Sequence, residues 1–181
     1  DVGTGSGALA VTISLEIPDS TVIAYDIDSA ALEVARKNNV RFNSGVEFIQ
    51  DDLLHESAST FDCIIANLPY VSRSQPVSIE TIFEPSLSLF ADDDGLALIK
   101  QLIEQITTRP NMKPGGYLIL ESEPRQHVAI VLLQKITHSS TLRPRTLFSY
   151  FSTRTDPVTA EVRLRALLLL SAPYHLELSS D

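Results

Sequence analysis

The sequence predicts an α/β fold, a doubly wound and mostly parallel sheet with helices on both faces. Three observations lead there. Helical and strand patterns alternate through most of the 181 residues, and parallel strands need such crossovers to follow one another. The chain opens on a glycine loop, Asp1-Val2-Gly3-Thr4-Gly5-Ser6-Gly7, that runs into apolar residues at helical spacing. The apolar run of residues 61–66 ends on Asn67-Leu68-Pro69-Tyr70, at the carboxyl end of a strand, where open α/β sheets bind ligands.

The elements follow in order. Residues 8–16 form a first helix, stopped by Pro18-Asp19, and residues 21–25 a short apolar strand ending at Asp26. Asp28 or Ser29 caps a helix that runs to Asn38-Asn39, with Ala31, Leu32 and Ala35 at helical spacing. Residues 46–49 make the next strand, closed by Asp51-Asp52, and residues 61–66 another. From Val71 to Asp93 no periodicity emerges, and Pro76 and Pro85 interrupt the pattern. That stretch is long for a passive connection and is expected to be a loop or lid on the substrate side. Residues 95–107 have the pattern of an amphipathic helix, Lys113-Pro114-Gly115-Gly116 of a turn, and residues 117–120 of a buried strand ending at Glu121. A helix over residues 128–136 follows. Beyond Ser139 the pattern weakens, with residues 161–170 expected to form a last hairpin with residues 147–151.

Composition narrows the function. With 44% hydrophobic and 20% charged residues, the chain fits one globular domain over residues 1–181. Its single cysteine, Cys63, sits inside an apolar strand, which excludes a disulfide scaffold and reads as a core residue in a reducing cytoplasm. No apolar run approaches the ~20 residues that span a bilayer, and no signal-peptide pattern is present, so a cytoplasmic protein is expected. A net charge of −9 disfavours direct nucleic-acid binding and makes a protein partner easier to accommodate. His55, His127, His138 and His175 have no i, i+4 pairing and no Cys neighbour, so no metal site is expected.

The glycine loop and the tetrad carry the chemistry. Alternate glycines permit positive φ and close approach of backbone to a ligand, and the free N–H groups of the following helix face it. By spacing alone the loop is ambiguous. Gly3, Gly5 and Ala8 also fit a dinucleotide pattern, with Asp26 about 20 residues on, so an NAD-dependent dehydrogenase stays open. Asp26 and Asp52 both follow strands on the edge that carries the loop; one carboxylate suits the hydroxyls of a ribose and the other an adenine amino group, while the alternative for each is a helix or turn cap. The Asn67 carboxamide and a backbone stiffened by Pro69 can hold a planar amino group, on which Tyr70 can stack. That is a site for chemistry on nitrogen.

Taken together, the glycine loop, Tyr25-Asp26-Ile27-Asp28 with Ala31-Leu32, Asn67 to Tyr70, Phe83-Glu84-Pro85 with Leu89, Asp94-Gly95-Leu96, and Lys113-Pro114-Gly115-Gly116 leading to Glu121 resemble a known family. The resemblance is to class I S-adenosylmethionine-dependent methyltransferases, and within them to the HemK or PrmC family, which modifies the glutamine of peptide chain release factors at N5. It covers roughly residues 1–125 in family order and implies a Rossmann-like sheet of the seven-stranded type. Carried over by position, it implies that Gly3, Thr4, Gly5, Ser6 and Gly7 wrap the methionine part of S-adenosyl-L-methionine, that Asp26 binds its ribose, and that Asp52 and the Leu53 backbone border its adenine. Asn67, next to the cofactor, and the Leu68 carbonyl would accept hydrogen bonds from the substrate amide. Pro69 would stiffen the turn and Tyr70 pack on the amide plane, so that Asn67, Pro69 and Tyr70 carry the catalysis. The implied partner is a release factor, methylated in its Gly-Gly-Gln loop.

Departures from the family pattern leave alternatives. Leu68 stands where the family most often has Pro, and Asn-Leu-Pro-Tyr is also similar to the motif of ribosomal RNA adenine dimethyltransferases. A ribosomal-protein glutamine or an adenine amino group are therefore alternative acceptors. Glu121-Ser122-Glu123-Pro124 lacks the Gly expected soon after the family's Glu, and Asp156 and Arg163 match its ending only loosely. The chain begins without most of the family's first strand and without its N-terminal helical domain, so a catalytic-domain fragment is expected, with an inactive binding module as a further alternative.

Overall fold

The computed structural model describes residues 1–72, 90–137 and 145–149. They belong to one compact unit, Asp1–Ser149. In chain order the elements are α1 (Ala8–Glu16), β1 (Ile23–Asp26), α2 (Ser29–Phe42), β2 (Glu47–Gln50), β3 (Phe61–Ala66), β4 (Val71–Ser72), β5 (Phe90–Ala91), the short α3 (Asp92–Gly95), α4 (Ala97–Thr108), β6 (Met112–Glu121), a 3₁₀ turn (Pro124–Gln126), α5 (His127–Thr137) and β7 (Arg145–Ser149). Every described strand pair is parallel.

The sheet reverses direction around one residue. β1 pairs with β2, and β3, β6 and β7 form a triple in the order β3-β6-β7. Val2, 1% exposed, makes parallel bridges to Tyr25 of β1 on one side and Ala66 of β3 on the other. The order is thus β2-β1-Val2-β3-β6-β7. The chain winds outward in one direction from Val2 and then in the other, which is the doubly wound arrangement and opens a crevice at the strands' carboxyl ends.

Both faces of this sheet are buried. Val2, Tyr25, Ile64, Ala66, Leu118 and Leu120 pack in one cluster with Ile99, Leu102, Ile103 and Ile106 of α4 and Ile130 of α5. The alternate strand residues Ala24, Ile65 and Ile119 lie outside that cluster and are buried as well, as are Ala10, Val11, Ile13, Leu32 and Ala35 of α1 and α2. A period of two divides each strand between the faces.

Several boundaries differ from the sequence pattern for local reasons. α2 continues past Asn38-Asn39 because those amides bond outside the helix rather than end it. Asn38 Nδ2 donates to the Ser6 carbonyl at 2.9 Å, and Asn39 brackets Val46 through both its N–H and its carbonyl. The helix ends at Asn43, in the left-handed region at φ 53. Asp28 is the N-cap, accepting from the Ala30 N–H at 2.8 Å. The helix expected over 95–107 divides at Gly95, φ +83. Residues 113–116 do turn, within β6: Met112 pairs with Phe61 and Tyr117 with Cys63, so the four residues between them bulge opposite Asp62. The expected pairing partner of β7, residues 161–170, lies outside the described residues, as do most of the 71–93 stretch, Phe83-Glu84-Pro85, Leu89, Asp156 and Arg163. No helix among the described residues is long and apolar enough to cross a membrane.

Candidate active site

Because the strands are parallel, their carboxyl ends share one edge, and the candidate residues follow them there. After Val2 the loop turns through Gly3, Gly5 and Gly7, with φ values of 73, 56 and 77. The Gly3 and Thr4 N–H groups both donate to the Tyr25 carbonyl at 2.9 Å, and the Thr4 hydroxyl donates to Asp1 Oδ2 at 2.6 Å. A side chain at Gly3 would start 2.9 Å from Leu68 Cδ2, and one at Gly7 2.9 Å from Ala35 Cβ, whereas one at Gly5 would meet nothing within 4 Å. Gly3 and Gly7 therefore serve close packing, and Gly5 borders open space. Gly7 is also the N-cap of α1, without a side-chain cap, which leaves the first helical N–H groups toward that space.

Asp26, at the end of β1, ties the loop down. Its Oδ2 accepts the Gly5 N–H at 2.7 Å and its Oδ1 accepts the Asp28 N–H at 2.9 Å. The capping alternative is thus real, and it does not exclude a ligand: each carboxylate oxygen keeps a further lone pair, and the residue is partly exposed.

Beyond β2, Asp51 and Asp52 divide their work. Asp51, 7% exposed, accepts the Glu56 N–H with both carboxylate oxygens and closes the turn. Asp52 is exposed, with Gln101 Nε2 donating to its Oδ2 at 3.3 Å. Leu53 is held at φ 59, a conformation costly for a branched side chain. Gln105 of α4, 8% exposed, holds it there by donating to the Asp52 carbonyl at 3.3 Å and accepting the Leu54 N–H at 2.8 Å. Sequence reading missed Gln105. The available signal was a polar residue inside the apolar stripe of Ile99, Leu102, Ile103 and Ile106.

After β3 the tetrad meets the glycine loop. Asn67 is exposed and its carboxamide makes no hydrogen bond to the described residues, while Leu68 is 3% exposed in the core cluster. The Asn67 main-chain carbonyl oxygen lies 3.9 Å from where a Gly3 side chain would start. The Leu68 side chain points inward against Gly3, so Leu in place of Pro fills core and leaves the polar edge to Asn67.

Tyr70 is held from the neighbouring strand β6. Its hydroxyl donates to Glu121 Oε1, at the end of β6, at 2.9 Å. Burial pushes the Glu121 carboxyl up to about 7, partly offset by that hydrogen bond. Gln126 Nε2 donates to the Tyr70 carbonyl and to the Asp94 carbonyl, each at 2.9 Å. Sequence reading found Glu121 as a strand end but neither its bond to Tyr70 nor Gln126. Cys63 lies in β3 but is only half-buried, outside the core in which it was expected, and burial pushes its thiol up to about 11, unfavourable for a nucleophile.

The structure thus brings Gly3 to Leu68, Gly5 to Asp26 and Tyr70 to Glu121; the Asp52 side chain bonds instead to Gln101 of α4. Solved structures share the fold. A ribosomal protein L11 methylase from Lactobacillus delbrueckii subsp. bulgaricus superposes with a TM-score of 0.55 at 21% identity, over 76% of this chain and 57% of that one. A methyltransferase from Pyrococcus furiosus gives 0.53 at 21% identity, over 74% and 58%. In sequence, the chain is 36% identical over 154 residues to the release factor glutamine methyltransferase of Streptococcus pneumoniae, covering 83% of this chain and 54% of that protein. It is 38% identical over 126 residues to that of Koribacter versatilis, covering 67% and 44%. The chain spans about half the length of these relatives. Residues 1–143, the glycine loop, the tetrad and Glu121 among them, match the methyltransferase small domain family, and it is to this family that the chain belongs.

Proposed function

We propose that this chain transfers a methyl group from S-adenosylmethionine to the side-chain amide nitrogen of a glutamine, in the Gly-Gly-Gln loop of a peptide chain release factor. The observation that carries the reading is Asn67, exposed at the end of β3, whose main chain lies against the glycine loop at Gly3. The relatives named for this reaction support it. When bound, the cofactor supplies an electrophilic methyl group on a sulfonium. The residues for it are the open face at Gly5, the uncapped start of α1, and Asp26, with lone pairs left for a ribose. Asp52, exposed at the end of β2, and the strained Leu53 backbone would border the adenine.

The reaction needs no strong base. A carboxamide nitrogen is a poor nucleophile, so the chain's task is orientation, which supplies up to about 7–11 kcal/mol in well-aligned reactions. Asn67 and the Leu68 carbonyl accept the two amide N–H bonds and favour the positive charge that builds on nitrogen as it takes the methyl group. Tyr70 covers the amide plane, and the surplus proton leaves to water. Cysteine chemistry plays no part.

Leu68 within Asn-Leu-Pro-Tyr favours a second reading, an adenine amino group as acceptor; the net charge of −9 weighs against it. Transfer of labelled methyl from S-adenosylmethionine to a release factor, to the same factor with its loop glutamine replaced, to ribosomal protein and to RNA separates these acceptors. Calorimetric titration with S-adenosylhomocysteine and with NAD tests the cofactor. Preference for NAD would overturn the reading.

A further inference from the structure

We propose that Gln126 is a positioning residue of the acceptor site, fixing the main chain at Tyr70 and through it the 67–70 loop on which the acceptor amide docks. The inference rests on the methyl-transfer reading of that loop. Gln126 is 3% exposed, and its side-chain amide is fully used. Both donors leave Nε2 for carbonyls on two different segments, Tyr70 before β4 and Asp94 in α3, at 2.9 Å each. Its Oε1 accepts the Glu123 N–H at 2.9 Å, which locks the 3₁₀ turn as a capping box.

The joint has no slack. Gly95, φ +83, lies so close that a side chain there would start 1.9 Å from the Tyr70 carbonyl oxygen and 2.7 Å from Gln126 Nε2. Three segments far apart in sequence therefore meet at one carbonyl, the last of the tetrad. Immediately beyond it the chain pairs Val71 with Phe90 and Ser72 with Ala91, so the Gln126 bond sits where the loop joins β4. Glu121 in turn holds the Tyr70 hydroxyl, at 2.9 Å. Main chain and ring are thus anchored separately. Removing the Gln126 donors takes one hydrogen bond from the Tyr70 carbonyl and one from the Asp94 carbonyl, while the Tyr70–Glu121 bond and the Asp26 contacts stay.

Gln126→Met, which keeps the volume and removes the donors, and Gln126→Asn, which keeps an amide with a shorter reach, form the test. Turnover is counted per site that binds S-adenosylhomocysteine, so a misfolded fraction does not register. In Gln126→Met, kcat is expected to fall at least about tenfold with cofactor Kd within about threefold, the pattern of a misplaced acceptor. Gln126→Asn is expected to fall between it and wild type, and it decides the matter if Gln126→Met does not fold. Amide hydrogen exchange across residues 66–72 gives an arm independent of methyl transfer, expected to quicken about tenfold while β1 is unchanged. Unchanged turnover per bound cofactor, unchanged exchange at 66–72, or an equal rise in exchange across the sheet would overturn the proposal. If wild-type protein transfers no methyl group, the methyl-transfer reading fails, and the exchange arm alone decides whether Gln126 fixes the loop.

Discussion

Asn67 is exposed between buried Ala66 and Leu68, an abrupt change of environment in three residues that separates what the strand needs from what the site needs. Asn67→Ala should leave folding and cofactor affinity within a few-fold of wild type and abolish methyl transfer, which steady-state kinetics with a cofactor titration measures. Asp26 holds the loop through the Gly5 N–H, and with the ribose contact proposed for it Asp26→Ala should both weaken S-adenosylhomocysteine binding and loosen the loop, at roughly 1.5–3 kcal/mol for each charge-assisted bond lost. Calorimetry and chemical unfolding read the two effects, and unchanged affinity would reduce Asp26 to a cap. Glu121 makes stability depend on pH. Its folded-state value, raised from 4.5 to about 7, means the native protein holds the proton that the unfolded chain releases. Its contribution is therefore fully present below about pH 4.5 and is lost as pH rises toward 7, by about 3 kcal/mol at most. Glu121→Gln keeps an acceptor for Tyr70, so the mutant should gain stability relative to wild type as pH rises from 5 to 8 in urea titrations; a pH-independent difference would contradict this. The placement of Asn67 and Asp26 at strand ends was legible in the sequence because each closes its own apolar run. The partners of Tyr70 were not, since Glu121 and Gln126 are 51 and 56 residues away and no local pattern links them.

Elements were legible where sequence periodicity and local stops agreed. The helix expected over residues 8–16 and the strand expected over 61–66 are α1 and β3, both bounded by strong local signals, Gly7 and Pro18 in one case and Asn67-Leu68-Pro69 in the other. Boundaries shifted where a side chain bonds across the fold instead, as Asn38 and Asn39 do, or where a glycine serves packing, as at Gly95. The glycine loop is the element most exposed to a single change. Gly7→Ala places a Cβ 2.9 Å from Ala35 Cβ and 3.2 Å from Phe48 Cε1, at φ +77. The left-handed backbone costs roughly 1–2 kcal/mol and overpacking about 1–3 more. A fall in the urea midpoint of that size, with weaker cofactor binding from the displaced start of α1, is expected; an unchanged midpoint would mean that α2 gives way freely.

At the scale of the whole molecule, alternation of helix and strand predicted the parallel sheet, and the structure adds that a single residue, Val2, joins its two halves. That junction sets the site: the loop leaving Val2 and the tetrad leaving β3 emerge side by side because Val2 bridges Ala66, 64 residues further along the sequence. The pairing of Val2 with both Tyr25 and Ala66 was not readable from two residues of sequence, which carry no period. What the fold assembles at this edge is a glycine loop open at Gly5 and, next to it, the exposed Asn67 at the end of β3, where a glutamine amide is proposed to be methylated. Tandem mass spectrometry of a release factor incubated with this chain and S-adenosylmethionine tests it most directly. One added methyl group is expected, on the side-chain nitrogen of the Gly-Gly-Gln glutamine, and none when Asn67→Ala replaces the wild-type chain. A methyl group on another residue, or equal methylation by the Asn67 variant, would contradict it.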